Sequence, residues 1–170
     1  LEKALTPLWG QKFFENGDFE IFSGITLLEL GSFTPSTQHI VEEVVFAALL
    51  REATHEDFPP TFLYLDELSN FPLHQTSALG KILNEGRKYG LYCMLVTQSI
   101  RNFKAEQRIL LQQCKYMMCF QPADEEVRMC ARLISSSGGT KLTSMLKSLQ
   151  VGEFMVSGPV YVGDSDTPTT

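Results

Sequence analysis

Three short apolar runs, TFLYLDE at 61–67, LYCMLVT at 91–97 and KYMMCFQ at 115–121, alternate with stretches that carry helix signals. Apolar runs of this length without polar alternation fit strands buried on both faces, as parallel strands are. The intervals are long enough for crossover helices. One spans about Gln75 to Tyr89 and is stopped by Gly90; another lies around 105–113. Upstream, IFSGITLLEL at 21–30 reads as a further strand, with Gly24 as a candidate bulge. Ser36 or Thr37 then suits the N-cap of a helix through about Glu52, on which Ile40, Val41, Val44, Val45, Ala48 and Leu49 recur at helical spacing.

Downstream, Asp124 opens an acidic first turn followed by EEVRMCARLI, a charge placement favoured at a helix N-terminus. SSSGG at 135–139 reads as a loop and 142–149 as a short helix. EFMVSG at 153–158 and PVYVGD at 159–164 form a terminal strand pair or one bent strand. Alternation from 21 to 134 predicts an α/β sheet, mainly parallel, with helices on both faces. Ligands of such sheets sit at the carboxyl ends of the strands. Residues 1–20, including PLWGQKFF at 7–14, are weakly patterned and predict an arm or short helix; 165–170 predict a disordered tail.

Composition narrows the classes. Of 170 residues, 44% are hydrophobic and 20% charged, ordinary for a soluble globular domain. No apolar run approaches the length of a membrane span, and no basic region followed by an apolar stretch marks a signal peptide. The chain begins at Leu1 rather than Met, which predicts an excised piece. Cys93, Cys114, Cys119 and Cys130 make no CxxC pair, and His39, His55 and His74 lie far from metal-ligand spacing. Buried or half-buried thiols in a reducing compartment are expected. The net charge of −6 excludes a generally basic nucleic-acid binder. Residues 81–115 nevertheless hold Lys81, Arg87, Lys88, Arg101, Lys104, Arg108 and Lys115 against only Glu85 and Glu106, either as solvated helix faces or as a local basic surface.

Two strand ends carry chemistry. The first apolar run stops at Asp66-Glu67. An acid at a strand tip can hold Mg²⁺ through water, and a neighbouring glutamate can polarise an attacking water. The same pair also serves simply to cap the next loop. The second run ends in Thr97-Gln98-Ser99, where a glutamine can sense a γ-phosphate or be an ordinary polar terminus.

Taken in order, Asp66-Glu67, EGRKYG at 85–90 and LVTQS at 95–99 resemble the HerA–FtsK superfamily of ring ATPases, which includes the coupling proteins of conjugation and type IV secretion. Their Walker B strand ends in DE, followed by a helix ending much like EGRKYG and a strand ending in TQS. KYMMCFQPADEEVRMCARLI and VGEFMVSG look like the elements that follow. The resemblance covers roughly 21–164 and implies a RecA-like P-loop NTPase sheet, here its C-terminal portion. It implies Asp66 at the Mg²⁺ site, Glu67 as catalytic base and Gln98 as γ-phosphate sensor. Arg87 becomes the candidate trans-acting arginine, with Arg128 and Arg132 as competitors, because a guanidinium binds phosphate bidentately. Its other reading is a helix-end cation paired with Glu85.

No GxxxxGK[ST] string exists in the chain; Gly80-Lys81 and SGGTKLT at 137–143 both fail the pattern. The P-loop, and with it the strand lying between the sensor strand and the next, is therefore expected upstream. The resemblance implies Mg²⁺ and ATP as cofactors of the intact protein and none for this piece alone. It also implies a homo-oligomeric ring (a hexamer), DNA as substrate, and relaxase or secretion-channel proteins as partners. Arg101, Lys104 and Arg108, after the sensor strand, are the nucleic-acid candidates. The expected location is cytoplasmic, at the inner membrane face through upstream segments, with no membrane contact from this segment. A HerA-like repair translocase, a pilus-assembly secretion ATPase and a non-catalytic α/β docking module are the alternatives.

Overall fold

The computed structural model describes residues 24–135 and 139–159. The expected arm at 1–20, the start of the 21–30 strand, the centre of the serine-rich loop, most of PVYVGD and the tail lie outside the described residues.

The fold is mixed α/β and is built from two strand pairs. Helix α1 (Pro35–Glu52) precedes strand β1 (Thr61–Leu65). A 3-10 turn (Leu68–Asn70), helix α2 (Ala78–Glu85) and a second 3-10 turn (Gly86–Tyr89) lead to strand β2 (Leu91–Leu95). β1 and β2 pair in parallel, with Thr61 opposite Leu91 and Leu65 opposite Leu95. Helix α3 (Ala105–Leu111), strand β3 (Met117–Phe120), helices α4 (Val127–Ile134) and α5 (Thr140–Ser148) and strand β4 (Phe154–Ser157) follow. β3 and β4 pair antiparallel, Met117 opposite Ser157.

Local chemistry explains the boundaries. The N-cap of α1 lies two residues before Ser36 and three before Thr37: it is Thr34, its hydroxyl accepting from Thr37 N–H at 3.4 Å, and Pro35 supplies the pre-set φ of the first turn. α2 is capped by Ser77, whose Oγ accepts from Gly80 N–H at 3.0 Å and donates to His74 O at 2.7 Å. Gly80 is required there because a Cβ would collide with His74 O. Glu43 adds a second cap, its Oε1 accepting from Ala78 N–H at 2.8 Å. Gly90, at φ 72°, stops the 3-10 turn in a left-handed conformation that a Cβ disfavours.

Two cores result. The larger takes Phe46 and Leu49 from α1, Leu63 and Leu65 from β1, Leu79 and Ile82 from α2, Leu91 from β2 and Leu110 from α3. The smaller takes Val127, Cys130 and Ala131 from α4 and Leu146 from α5, with Cys119 and Met155 of β3 and β4 against it. Ile100 packs against both.

The α/β class with a parallel strand pair and packed helices is as expected, and the details differ in three places. Residues 24–30 join no ladder among the described residues, and Ile25 stands fully exposed. The strands form one parallel and one antiparallel pair, and β2 and β3, between which a further strand is expected, are not hydrogen-bonded neighbours among the described residues. The strands are covered on one face only. Phe62, Tyr64, Tyr92 and Met94 share the open face of the first pair; Met118, Phe120, Phe154 and Val156 share that of the second. Helices pack on the other face of each pair, so the apolar runs outnumber the elements available to bury them. α1 repeats the theme. Its buried residues are Thr37, Glu42, Phe46 and Leu49, so of the expected stripe only Leu49 is buried and Val44 is exposed. A helix apolar around most of its circumference is suited to burial on two sides.

No helix among the described residues is long and apolar enough to cross a membrane.

Candidate active site

Parallel pairing puts the carboxyl ends of β1 and β2 side by side. The register continues past both strands: Val96 N–H donates to Leu65 O at 2.9 Å and Leu68 N–H to Val96 O at 2.7 Å. Asp66-Glu67 and Thr97-Gln98-Ser99, thirty residues apart in sequence, therefore leave the same edge together.

Glu67 has φ 53° and ψ 69°, the left-handed region, and is the single non-glycine residue at positive φ among the described residues. That conformation costs about 1–2 kcal/mol and persists only where surroundings impose it. Here a 3-10 turn closes directly behind it, with Asn70 N–H donating to Glu67 O at 3.0 Å. The kink turns the carboxylate back toward the end of β2. Glu67 Oε1 accepts from Ser69 Oγ at 2.7 Å and from Thr97 Oγ1 at 3.0 Å. The Thr97 hydroxyl also lies 3.0 Å from Ser99 O, so one proton serves two acceptors. The Ser69 hydroxyl above all holds the Glu67 carboxyl below the usual glutamate range; burial, the next largest effect, opposes it, and Thr97 with the Gln98 and Ser69 amides adds to the lowering. The group is thus an oriented carboxylate, charged at neutral pH. Asp66 and Gln98 are exposed at the same edge.

Arg87 lies elsewhere. It is exposed in the 3-10 turn that feeds the start of β2, so the length of the strand, roughly 20 Å, separates it from Gln98. The cation that pairs with Glu85 is Lys88, at 3.8 Å. Arg128 and Arg132 are exposed on α4 and line a groove shared with Arg108, Ile109 and Met129. Of the basic residues after the sensor strand, Arg101 is ion-paired with Glu125 and Arg108 donates to Phe103 O. Lys104 is exposed at the N-cap of α3, where its amide donates to Gln107 Oε1 at 2.7 Å.

The expected acidic first turn of α4 is also used differently. The helix begins at Val127, and all three acids before it reach other segments. Asp124 pairs with Lys147 at 2.7 Å, Glu125 with Arg101, and Glu126 with the backbone after Ser99. Thr97, Ser69 and Glu126 are the site residues that sequence reasoning passed over. The TQS string held Thr97 in view, but a hydroxyl's partner is invisible until the strands are paired.

The cysteines are free thiols, Cys130 buried and the other three half-buried. Burial, with a contribution from Cys114, pushes the Cys93 thiol up to about 12. Cys130 donates to Cys119, which raises Cys130 and lowers Cys119. No group of three or more His, Cys, Asp or Glu among the described residues makes a self-sufficient metal site.

No curated protein sequence matches the chain. Among solved structures it is similar to the genome packaging NTPase B204 from Sulfolobus turreted icosahedral virus 2 in complex with AMPPCP, at 18% identity and a TM-score of 0.48. The match covers 71% of this chain and 63% of that one, so the chain spans less than two thirds of that protein. The family model described as the TraM recognition site of TraD and TraG matches residues 60–150. That span runs from the residue before β1 through the end of α5 and contains Asp66, Glu67 and Gln98. It is more than half of the chain, and on it the chain belongs to the family of the TraM recognition site of TraD and TraG.

Proposed function

We propose that this chain is the hydrolytic portion of a RecA-like ring ATPase that drives DNA through a conjugative or type IV secretion apparatus. The observation that carries the reading is Glu67: a glutamate forced into the left-handed region at a strand end, its carboxylate held by Thr97 at the end of the neighbouring strand. A carboxylate so oriented polarises a water for in-line attack on a terminal phosphate, and Gln98 beside it contacts that phosphate.

Asp66 fits Mg²⁺ held through water, since that ion keeps several waters and takes one or two carboxylates plus the phosphates of its nucleotide. Bound there, it would neutralise phosphate charge. The chain's own part is to place one acid, one base and one amide on a common edge. A P-loop from outside these residues supplies the phosphate grip, and the flanks of β2 and β3, unpaired among the described residues, suit its strand. The open apolar faces of both pairs support the same reading, because a complete doubly covered sheet would bury them.

Arg87, remote from the site of its own chain, suits the nucleotide of a neighbouring subunit in a homo-oligomeric ring. Lys104, with Arg101 and Arg108, remains the proposed DNA-facing set, of which Lys104 is the most available. The family description names recognition of TraM by TraD and TraG; a protein of that kind is the proposed partner at the transfer apparatus.

The test uses the longer protein that supplies a P-loop. Glu67→Gln keeps the shape of the side chain and removes the base. ATP binding is expected to persist while steady-state hydrolysis falls by about 10²–10⁴-fold. Turnover near the unmodified rate would refute the assignment.

A further inference from the structure

The residues that leave β2 carry Gln98, yet no regular structure holds them before α3 begins at Ala105. A second carboxylate does. Glu126 is buried, 7% exposed, at the residue before α4, and it does not cap its own helix. Its Oε1 accepts from Ser99 Oγ at 2.5 Å, from Ile100 N–H at 3.1 Å and from Arg101 N–H at 2.9 Å. Ser99 Oγ in turn accepts from Arg101 N–H at 3.2 Å.

The charge on Glu126 is met by these neutral donors, since the Arg101 guanidinium is taken by Glu125. Burying a carboxylate is costly unless it is hydrogen-bonded, so three donors on one oxygen make a strong constraint on the loop that supplies them. At the loop's other end the Thr97 hydroxyl, next to Gln98, donates to Glu67 Oε1 at 3.0 Å. Residues 97–101 are therefore strung between two carboxylates, one at the candidate site and one at the start of α4.

We propose that Glu126 is a positioning residue for the sensor: it holds residues 99–101 so that Gln98 stands beside the Glu67 carboxylate, and it ties the sensor to α4. This rests on the reading of Gln98 as γ-phosphate sensor. Any shift of Gln98 on loss of that phosphate is passed by the two loop amides to Glu126, and so to the helix that presents Arg128 and Arg132. The link is a direct hydrogen-bonded one between the two strand pairs, running beside the apolar contact of Ile100.

The experiment compares Glu126→Ala, Glu126→Gln, Ser99→Ala, Gln98→Ala and Gln98→Ala/Glu126→Ala in the complete P-loop-bearing protein, with ring assembly checked for each. Glu126→Ala is expected to lower kcat by about 10–100-fold, the scale of a misplaced catalytic group, with KM for ATP changed less than about twofold. Glu126→Gln keeps an acceptor oxygen in the same place and should restore kcat to within about threefold. Ser99→Ala removes one donor of three and should cost about threefold, so it tests the clamp even where Glu126→Ala does not assemble. If Glu126 acts through Gln98, the double variant is no slower than Gln98→Ala alone; multiplied losses would overturn the proposal.

Hydrogen exchange separates the clamp from the reading beneath it. Faster exchange of the 100 and 101 amides in Glu126→Ala, or in Ser99→Ala if the former does not assemble, is expected; unchanged protection overturns the clamp. Hydrolysis at the unmodified rate in Gln98→Ala would instead overturn the sensor assignment while that exchange result still stands.

Discussion

The two strand pairs differ in almost everything except what they leave open. β1 and β2 are parallel, end in the polar residues of the candidate site, and rest on a core drawn from three helices. β3 and β4 are antiparallel, carry no candidate site residue, and rest on four buried residues from two helices. Both have one covered face and one open apolar face. The difference separates two tasks. The first pair is a platform that can hold strain, and Glu67's left-handed backbone is stored there. The second is a satellite coupled to it through Ile100 and Glu126.

The largest expected effects follow from that asymmetry. Leu79 is fully buried in the larger core and Leu146 in the smaller. Leu79→Ala should destabilise by about 3–5 kcal/mol, at the upper end for a leucine cavity, because several elements close around it. Leu146→Ala should cost nearer 2 kcal/mol, since two helices can collapse onto the space more easily. Hydrogen exchange should locate the damage: across β1, β2 and α1 to α3 for the first, within β3, β4, α4 and α5 for the second. Equal acceleration of β1 and β2 exchange in Leu146→Ala would break the distinction between platform and satellite.

What could be read from the sequence divides along the same line. The apolar runs located all three strands that lead into polar loops, and DE and TQS marked their ends, because strand burial and strand-end chemistry are local signals. α2 and its Gly90 stop were likewise legible. Pairing was not. Residues 24–30 have a strand's composition but join no ladder among the described residues, and the segment that belongs between β2 and β3 cannot be read from either strand. Pattern reports what a segment is suited to, whereas a ladder needs a neighbour. The acids at 124–126 show a related failure. A first-turn cluster reads as helix-dipole stabilisation, but Asp124, Glu125 and Glu126 each find a distant donor. Nothing in local spacing distinguishes the two uses.

A second comparison concerns the open faces. Met94 on β2 and Met118 on β3 are each about half exposed, so the same substitution can be made in both units. In these 170 residues alone, Met94→Ala and Met118→Ala should change stability by less than about 0.5 kcal/mol, as surface substitutions do. In the longer P-loop-bearing protein each should cost about 2 kcal/mol, because a covered methionine leaves a cavity when truncated. Chemical denaturation of both lengths gives the numbers. Losses confined to Met94 would mean that the missing part covers the platform and leaves the satellite open.

The smallest expected effect bears on why the chemistry belongs to the first pair. Glu67 titrates below the usual glutamate range because the Ser69 hydroxyl, then the Thr97 hydroxyl and two amides, favour its charged form. On the proposed role of Glu67 hydrolysis needs that charged form, so the acid limb of the rate should fall below the ordinary glutamate value. Thr97→Val removes one hydroxyl donor while keeping a β-branched strand residue. The Glu67 pKa must then move up, and the acid limb of kcat with it, while the rate on the alkaline side of that limb changes little. Stability follows the same sign. A depressed carboxylate contributes above its unfolded pKa, and the contribution is lost as pH falls through the folded value, so Thr97→Val should blunt the loss of stability on acidification. Ser69→Ala removes the first-ranked donor and should move the limb further than Thr97→Val. A limb that stays in place in both variants would detach the rate from Glu67, and the strained residue at the end of β1 would then be a turn rather than a base.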